Sequence, residues 1–416
     1  MSFDYKKLLL LVDWHATGHH PTYLLRYAEI LLTLGCDLAI VCPRPELLRE
    51  ALCSDGWAGA ISNGRVRIAK FVTPVARRFR PRRWESAVQA FFWTRDCLRA
   101  VRELEVAFGR PSEFVFFSCL YGFQSHYMER MVKSMRRPWA TLHLHALTNS
   151  AKPELKLFNL LRDPRLAALG VLDETIAESL STAIGRPVLV LPDVTNETVV
   201  ENHPWEQRLR RFAGKSKLVV VAGHIRRDKG VGALAELALD CTKHDLAFAF
   251  VGSVDWDDLE AEERSILRRA MNEAPRALFH TEAVADGASY NAILRAADVI
   301  YAAFRNFPHS SNTLTKAALL QRPVIVSPGY LMADRVRRFR MGEVLVNETP
   351  AEALVAIKRI TNDPAGWTSR MQPKWTEYRA MHSSAALQTS LKRLLELASP
   401  RAQPASSADP TEIAAI

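Results

Sequence analysis

Short apolar runs alternate with amphipathic segments along nearly the whole chain. The runs are rich in Val, Leu, Ile and Phe and are continuous, which is typical of parallel strands buried on both faces. The segments between them repeat their apolar residues at helical spacing. This order predicts an α/β fold with parallel sheets covered by helices on both faces. The predicted strands are 7–14, 36–43, 65–72, 114–119, 139–147, 166–174 and 188–193 in the first half, and 218–222, 247–253, 277–284, 298–304 and 323–328 in the second.

A polar segment separates these two halves. Residues 194–217 lack strand character and predict a linker that contains a short helix. We therefore predict two Rossmann-like, doubly wound domains, 1–195 and 196–373, that face a central cleft. A long helix is predicted over 374–398, and the tail 399–416, rich in Ala, Pro and Ser, is predicted to be disordered.

Composition narrows the class of partner and the compartment. The 416-residue chain has a net charge of +10 and a pI of about 9.4, which favours anionic partners such as nucleotides, phosphorylated sugars or lipid surfaces. Its 6 cysteines are scattered without a C-x-x-C pair, so we expect reduced thiols rather than disulfides or a zinc site. The first apolar run is too short for a signal peptide or a membrane span. These features predict a cytoplasmic protein.

A strongly basic turn follows the valine run of the predicted strand 218–222. A glycine ends the strand, and a helix begins a few residues later. Backbone N–H groups at a helix start, with fixed cations beside them, form a site for a phosphorylated ligand. A basic surface loop is the alternative interpretation. The glycine is Gly223, and the basic side chains of the turn are His224, Arg226, Arg227 and Lys229.

Two further loops of the second half follow predicted strands. In open α/β sheets such loops lie together at the edge where ligands bind. One loop offers backbone room for a base or a ribose, and the other offers hydroxyl and backbone donors that suit a diphosphate. Capping of the next helix by Ser311 or Asn312 is the alternative for the second loop. The residues are Gly252 and Ser253 in the first loop, and Ser310, Ser311, Asn312 and Thr313 in the second.

Histidines follow two predicted strands of the first half. The loop after the first strand holds Gly18, His19 and His20, and no nearby Cys or carboxylate completes a ligand set, so we predict no metal site there. His143 and His145 point to one face near the end of a later strand. A histidine in that place donates to a sugar hydroxyl or a phosphate, or accepts a proton. A hydrogen-bonded core histidine is the alternative for each.

The order of these segments resembles the GT-B glycosyltransferases, in particular the large retaining group that uses nucleotide sugars. TGHHPT is similar to the glycine-bearing first loop of that family, VVVAGHIRRDKG to its strand, glycine and Lys-Gly turn, and QRPVIVSPG to a later strand. The resemblance implies transfer of a hexose or related sugar from a nucleoside-diphosphate sugar to a sugar, lipid-linked or other small acceptor. It further implies a role in surface-glycan or polysaccharide assembly, with no cofactor and no required metal.

The resemblance also implies roles for individual residues. Lys229 contacts the donor diphosphate and stabilises the charge of the leaving group. His143, with His145 as the second choice, corresponds to a histidine that follows a strand in the family, and His19 and His20 lie on the acceptor side. The helix over 374–398 crosses back to the first domain.

The chain departs from the family at two positions. The family commonly carries two glutamates eight positions apart near the donor, and Pro308 and Lys316 stand at the corresponding places. The usual contacts to the donor sugar and ribose are therefore unassigned. A non-catalytic nucleotide-sugar-binding partner protein, and a GT-B epimerase or hydrolase, are the alternatives to a transferase.

An arginine-rich segment with aromatic residues covers 77–93. Clustered cations beside aromatic rings favour peripheral contact with an anionic membrane, here the inner face, which suits a lipid-linked acceptor. A solvated arginine loop followed by a core-packed helix is the alternative. We predict no nucleic-acid partner, because no recognised nucleic-acid module accompanies the segment.

Overall fold

The structure is a computed structural model that describes residues 6–15, 20–71, 82–120, 125–143, 159–240 and 245–399, with the side chains of 82–90 and 125–128 excepted. The chain divides into two compact units, Met1–Leu191 with Ser384–Ile416, and Pro192–Ser383. Each unit is built on a parallel sheet with helices packed against it. The predicted α/β class with two doubly wound sheets is confirmed.

The first unit contains a seven-stranded parallel sheet with the order β3-β2-β1-β4-β5-β6-β7. The order reverses between β1 and β4, which pair directly, with Val12 opposite Phe117. Ligands of open α/β sheets bind beyond the carboxyl ends of the strands at such a reversal. The strands are β1 (Leu8–Val12), β2 (Asp37–Cys42), β3 (Val66–Lys70), β4 (Phe114–Leu120), β5 (Trp139–His143), β6 (Leu166–Val171) and β7 (Val188–Val190).

The second unit contains a six-stranded parallel sheet with the order β10-β9-β8-β11-β12-β13. Its order reverses between β8 and β11, where Val219 pairs with Val299 and Val220 with Ile300. The carboxyl ends of these two strands therefore mark the expected ligand edge. The strands are β8 (Lys217–Ala222), β9 (Leu246–Val251), β10 (Ala277–His280), β11 (Val299–Ala302), β12 (Val324–Val326) and β13 (Gly342–Val344).

Helices connect the strands and cover the sheets. Among the described residues, no helix is both long enough and apolar enough to cross a membrane. The helices are α1 (His20–Thr33), α2 (Pro45–Leu52), α3 (Ala58–Ser62), α4 (Arg82–Phe108), α5 (Ser125–Met135), α6 (Ala177–Ile184), α7 (Pro204–Ala213), α8 (Val231–Leu239), α9 (Ala261–Glu273), α10 (Ala288–Ala296), α11 (Asn312–Leu320), α12 (Leu331–Phe339), α13 (Pro350–Thr361), α14 (Pro364–Met371), α15 (Trp375–Met381) and α16 (Ser384–Leu397), with a π-helical turn at Cys53–Trp57 and a 3-10 turn at Arg227–Lys229.

The valine run of β8 shows why continuous apolar sequences form these strands. Leu218 and Val220 lie in a buried cluster on one face of the sheet, together with Leu314 of α11. Val219 and Val221 lie in a separate buried cluster on the other face. Because successive side chains of a strand point to opposite faces, a strand between two cores must be apolar at every position.

The predicted long helix over 374–398 is wrong in one respect, because it is two helices, α15 and α16. His382, between them, has φ −109° and ψ 24°, which is not helical. Its ring is buried, and its Nδ1 accepts a hydrogen bond of 2.9 Å from the backbone N–H of Asp193. Helix α16 packs in the first unit against α1, β6 and β7. The predicted tail after Ser399 lies outside the described residues.

Candidate functional site

The loops that follow β8 and β11 are joined where the strand order of the second sheet reverses. The backbone N–H of Arg305 donates a hydrogen bond of 2.8 Å to the carbonyl oxygen of Asp228. The Lys229 ammonium lies 3.6 Å from the centroid of the Phe304 ring. These contacts place the basic turn at the edge where a ligand of this sheet is expected.

Two glycines allow the backbones of neighbouring loops to touch. Gly252 has φ +141°, and a Cβ added there would lie 1.9 Å from the carbonyl oxygen of Gly223. Gly230 has φ +59°, and its Cβ would lie 2.2 Å from the carbonyl oxygen of Ala303. Both positions therefore need glycine for conformation and for space. The backbones of the loops after β8, β9 and β11 therefore approach one another closely at these two glycines.

The two arginines of the basic turn are paired with carboxylates. Arg226 donates from Nε and Nη2 to the two carboxylate oxygens of Asp228, each at 2.7 Å. Arg227 Nη1 lies 3.6 Å from Glu260 Oε1, and both of these side chains are exposed. A phosphorylated ligand would have to compete with these acids for the two guanidinium groups.

The predicted residues His224 and Ser253 lie together across the loops after β8 and β9. His224 Nδ1 is 2.9 Å from Ser253 Oγ, and His224 Nε2 is 3.9 Å from Asp255 Oδ2. Gly223 has φ +106°, and a Cβ added there would meet Tyr290 Oη at 3.1 Å. This part of the edge therefore combines an exposed imidazole, a hydroxyl and a glycine backbone that carries no side chain.

Lys229 is the half-buried cation of the turn. Burial lowers the pKa of Lys229 to about 8, with the charge of Arg226 adding to this shift and that of Asp228 opposing it. Within the described residues, no carboxylate oxygen lies within 4.0 Å of the Lys229 ammonium, which instead lies over the Phe304 ring. A desolvated ammonium without a close carboxylate is suited to an incoming anion.

The side-chain amide of Asn312 forms hydrogen bonds with other residues of the second unit. Its Nδ2 donates to the carbonyl oxygen of Val194, and its Oδ1 accepts from Thr195 Oγ1, both at 2.8 Å. The neighbouring Thr315 Oγ1 donates to the carbonyl oxygen of Asp193 at 2.9 Å. These hydrogen bonds therefore hold residues 193–195 against the first turn of α11.

The hydroxyls before α11 are also engaged. Ser311 accepts from the backbone N–H of Thr313 at 3.3 Å and caps the helix, which was the alternative interpretation of this residue. Ser310 donates to the Asp193 carboxylate and accepts from Arg335 Nη1 at 2.6 Å. An anion at this helix start would therefore meet backbone donors more readily than these side chains.

Lys316, which the family resemblance predicts to stand at a glutamate position, forms a buried ion pair. Its ammonium lies 2.8 Å from Asp286 Oδ1 and 2.8 Å from Asn291 Oδ1, and its side chain is 3% exposed. Burial lowers the pKa of Lys316, whereas the Asp286 carboxylate raises it. Asp286 lies in the loop after β10, and this loop therefore places a carboxylate beside Lys316.

Comparisons with known proteins bear on the fold. No protein-family model matches the chain, and no curated protein sequence matches it. Among solved structures, sucrose-phosphate synthase from Thermosynechococcus elongatus matches with a TM-score of 0.68 and 16% identity, over 94% of this chain and 98% of that one. HepE from Anabaena in complex with UDP and glucose matches with a TM-score of 0.65 and 13% identity, over 94% and 99%. A glycosyltransferase from Rickettsia africae matches with a TM-score of 0.62 and 12% identity, over 94% and 96%.

The chain has the GT-B fold. The predicted resemblance is confirmed at this level, across nearly the full length of both chains. Identities of 12–16% establish the GT-B architecture alone, so the site must be judged from its own residues.

Within the GT-B fold, His143 ends β5 and lies in the interior of the first unit. Its ring is buried, and its Nδ1 is 2.9 Å from the carbonyl oxygen of Leu120. This contact fits the alternative of a hydrogen-bonded core histidine, and the catalytic role of His143 stays a prediction. His20 begins α1, whereas Gly18, His19 and His145 lie outside the described residues.

Only part of the predicted membrane segment 77–93 is described. The Phe91 side chain on α4 is 53% exposed, and Phe92 and Trp93 are half-buried. The arginines of 77–83 lie outside the described residues or have side chains that are not described. Peripheral membrane contact therefore stays a prediction.

Proposed function

We propose that the protein transfers a sugar from a nucleoside-diphosphate sugar to an acceptor hydroxyl. The observation that carries this proposal is Lys229, a half-buried ammonium held where the loops after β8 and β11 meet at the reversal of the strand order. Open α/β sheets bind ligands at such an edge. A diphosphate supplies the anion that this desolvated cation lacks.

The chemistry needs stabilisation of the leaving group. The bond from the anomeric carbon to the diphosphate oxygen breaks, the acceptor oxygen bonds to that carbon, and the proton of the acceptor hydroxyl passes to the departing diphosphate. Negative charge grows on the diphosphate as the bond breaks, so a fixed ammonium and backbone N–H groups bind the transition state more strongly than the ground state. Lys229 is assigned this role.

The donor base and the finer features of the reaction come from similarity. HepE was solved with UDP and glucose, which supports UDP as the first nucleotide to test. The family resemblance supports a retaining hexosyl transfer in surface-glycan assembly and a reaction that requires no metal. The Arg- and aromatic-rich segment 77–93 supports a cytoplasmic protein at the inner face of the membrane that uses a lipid-linked acceptor.

A nucleotide-sugar-binding protein without transferase activity is the second candidate. It is favoured by Pro308 and Lys316, which replace the two glutamates of the resembling family. Lys316 is committed to Asp286 and Asn291 and offers no carboxylate to a ribose. Asp286, the acid of this ion pair, has a side chain that is 29% exposed and is the carboxylate that the pair presents in place of the missing glutamate.

A nucleotide panel followed by product analysis tests the proposal. We expect one of UDP, GDP, ADP and dTDP to raise the melting temperature, because a ligand that binds only the folded state stabilises it. CMP, which has one phosphate, is the control. With the matching nucleotide sugar, a transferase forms product only with an acceptor, a hydrolase forms free sugar, and a silent binder forms neither. Failure of every diphosphate to bind would overturn the proposal.

Binding of the diphosphate is expected to weaken as the pH rises above about 8. Lys229, with its pKa lowered to about 8, is protonated below that pH and loses its charge above it. The diphosphate keeps its charge in this range because its last pKa is about 6. The dissociation constant should rise by up to about tenfold per pH unit until the pKa of Lys229 in the complex is reached.

Titration calorimetry from pH 7 to pH 9, below the ionisation of the nucleobase, measures this dependence. Lys229→Arg is the matched control, because its guanidinium stays protonated throughout. A wild-type affinity that stays flat across this range, or a decline that persists in Lys229→Arg, would contradict the assignment.

A further inference from the structure

Three potential metal ligands converge at the carboxyl edge of the first sheet. His15 follows β1, Cys119 lies near the end of β4, and His20 begins α1. One ligand atom from each residue lies within 4.8 Å of the other two. The rings of His15 and His20 stack with centroids 4.3 Å apart. The cluster therefore stands where the strand order of this sheet reverses between β1 and β4.

We propose that His15, His20 and Cys119 bind a zinc ion. Two imidazoles and a thiolate are ligands that zinc prefers, whereas magnesium and calcium take oxygen ligands. Ideal tetrahedral bonds would place the ligand atoms about 3.3–3.6 Å apart. The observed separations of up to 4.8 Å are within reach of small side-chain rotations.

A buried carboxylate beside the cluster supports a cation. Asp13 is 1% exposed, and its Oδ2 lies 3.7 Å from His20 Nδ1. The backbone N–H of His15 and the hydroxyl of Ser118 both donate to this carboxylate. One zinc ion, one thiolate and one carboxylate sum to zero charge, which removes the cost of an uncompensated buried ion.

The Asp13 carboxylate lies close enough to His20 to orient its ring. Carboxylates that hold the second ring nitrogen of a metal-ligating histidine fix the orientation of the imidazole. Three protein ligands leave a fourth position of the tetrahedron open to water or another small ligand. The sequence around His19 and His20 predicts no metal site, because Cys119 lies about a hundred positions away in the chain.

Cobalt(II) is the probe for this site, because it takes the same tetrahedral ligands and absorbs light. Protein stripped with a chelator is loaded with cobalt(II) or zinc(II) and desalted. We expect about one equivalent of metal per chain by elemental analysis. We also expect a thiolate-to-cobalt charge-transfer band that zinc abolishes by displacement.

Variants assign the ligands. Cys119→Ser should lose the charge-transfer band, and Cys42→Ser should keep it, because Cys42 is as deeply buried at the end of β2 but outside the cluster. Should Cys119→Ser fail to fold by circular dichroism, the half-buried His15→Asn serves instead, with metal affinity at least about tenfold weaker.

Two results would overturn the zinc site. One is desalted wild-type protein that retains neither metal. The other is a cobalt complex without thiolate absorption, or with the same absorption in Cys119→Ser. No nucleotide sugar enters this assay, so its outcome is separate from that of the transferase proposal.

Discussion

Lys229→Ala is expected to lower kcat/KM by about 30- to 1,000-fold, equivalent to about 2–4 kcal/mol of transition-state stabilisation. The lost ammonium is the half-buried cation between the loops after β8 and β11. Its charge counts for more than that of an exposed lysine because its surroundings are partly desolvated. Steady-state kinetics with the nucleotide sugar identified in the binding panel measure the effect.

The controls for Lys229→Ala separate charge from folding. Lys215→Ala removes an exposed lysine just before β8, at the opposite end of that strand, and should leave kcat/KM unchanged. Lys229→Arg keeps the charge and should recover part of the loss. Full activity in Lys229→Ala at an unchanged melting temperature would show that another group binds the diphosphate.

Gly252→Ala should destabilise the second unit by about 2–5 kcal/mol and remove nucleotide binding. The new methyl group would lie 1.9 Å from the carbonyl oxygen of Gly223, and the residue would keep φ +141°. Relief of this overlap requires the loops after β8 and β9 to separate. Chemical unfolding and the thermal shift with the cognate nucleotide report the two effects.

Gly329→Ala isolates the backbone contribution. Gly329 also has positive φ, +87°, but an added Cβ would meet nothing within 4 Å. This variant should lose only about 1–2 kcal/mol, the usual cost of a left-handed backbone for a residue with a side chain. Equal losses of unfolding free energy in the two variants would mean that the close approach of Gly252 to Gly223 adds nothing to the cost of Gly252→Ala.

The strands could be predicted because their pattern is local. A strand such as β8, with a core on each face, must be apolar at every position, and such runs are readable in the sequence. His382, where the predicted helix breaks, accepts a hydrogen bond from the backbone N–H of Asp193, 189 positions earlier in the chain. Helical periodicity around His382 gives no sign of that bond.

Some contacts of the polar residues in the candidate sites could likewise be predicted from the sequence, and others could not. Position after a strand correctly brought His224 and Ser253 together, because the carboxyl ends of neighbouring parallel strands share an edge. Ser310 and Asn312 also follow a strand, β11, but their side chains form hydrogen bonds with residues 193–195. The sequence does not reveal which polar side chains will form hydrogen bonds with a distant segment of the chain. Cys119 beside His15 is a further pairing that no local spacing could indicate.

The discontinuous first unit has a consequence for synthesis on the ribosome. Helix α16 packs against α1, β6 and β7 but follows the whole of the second unit in the chain. Its buried residues Leu387, Leu391 and Leu394 emerge only after that unit has been translated. The complementary apolar surface of the nascent first unit therefore stays uncovered while about half of the protein is still being made, and during that interval it is a natural substrate for chaperones.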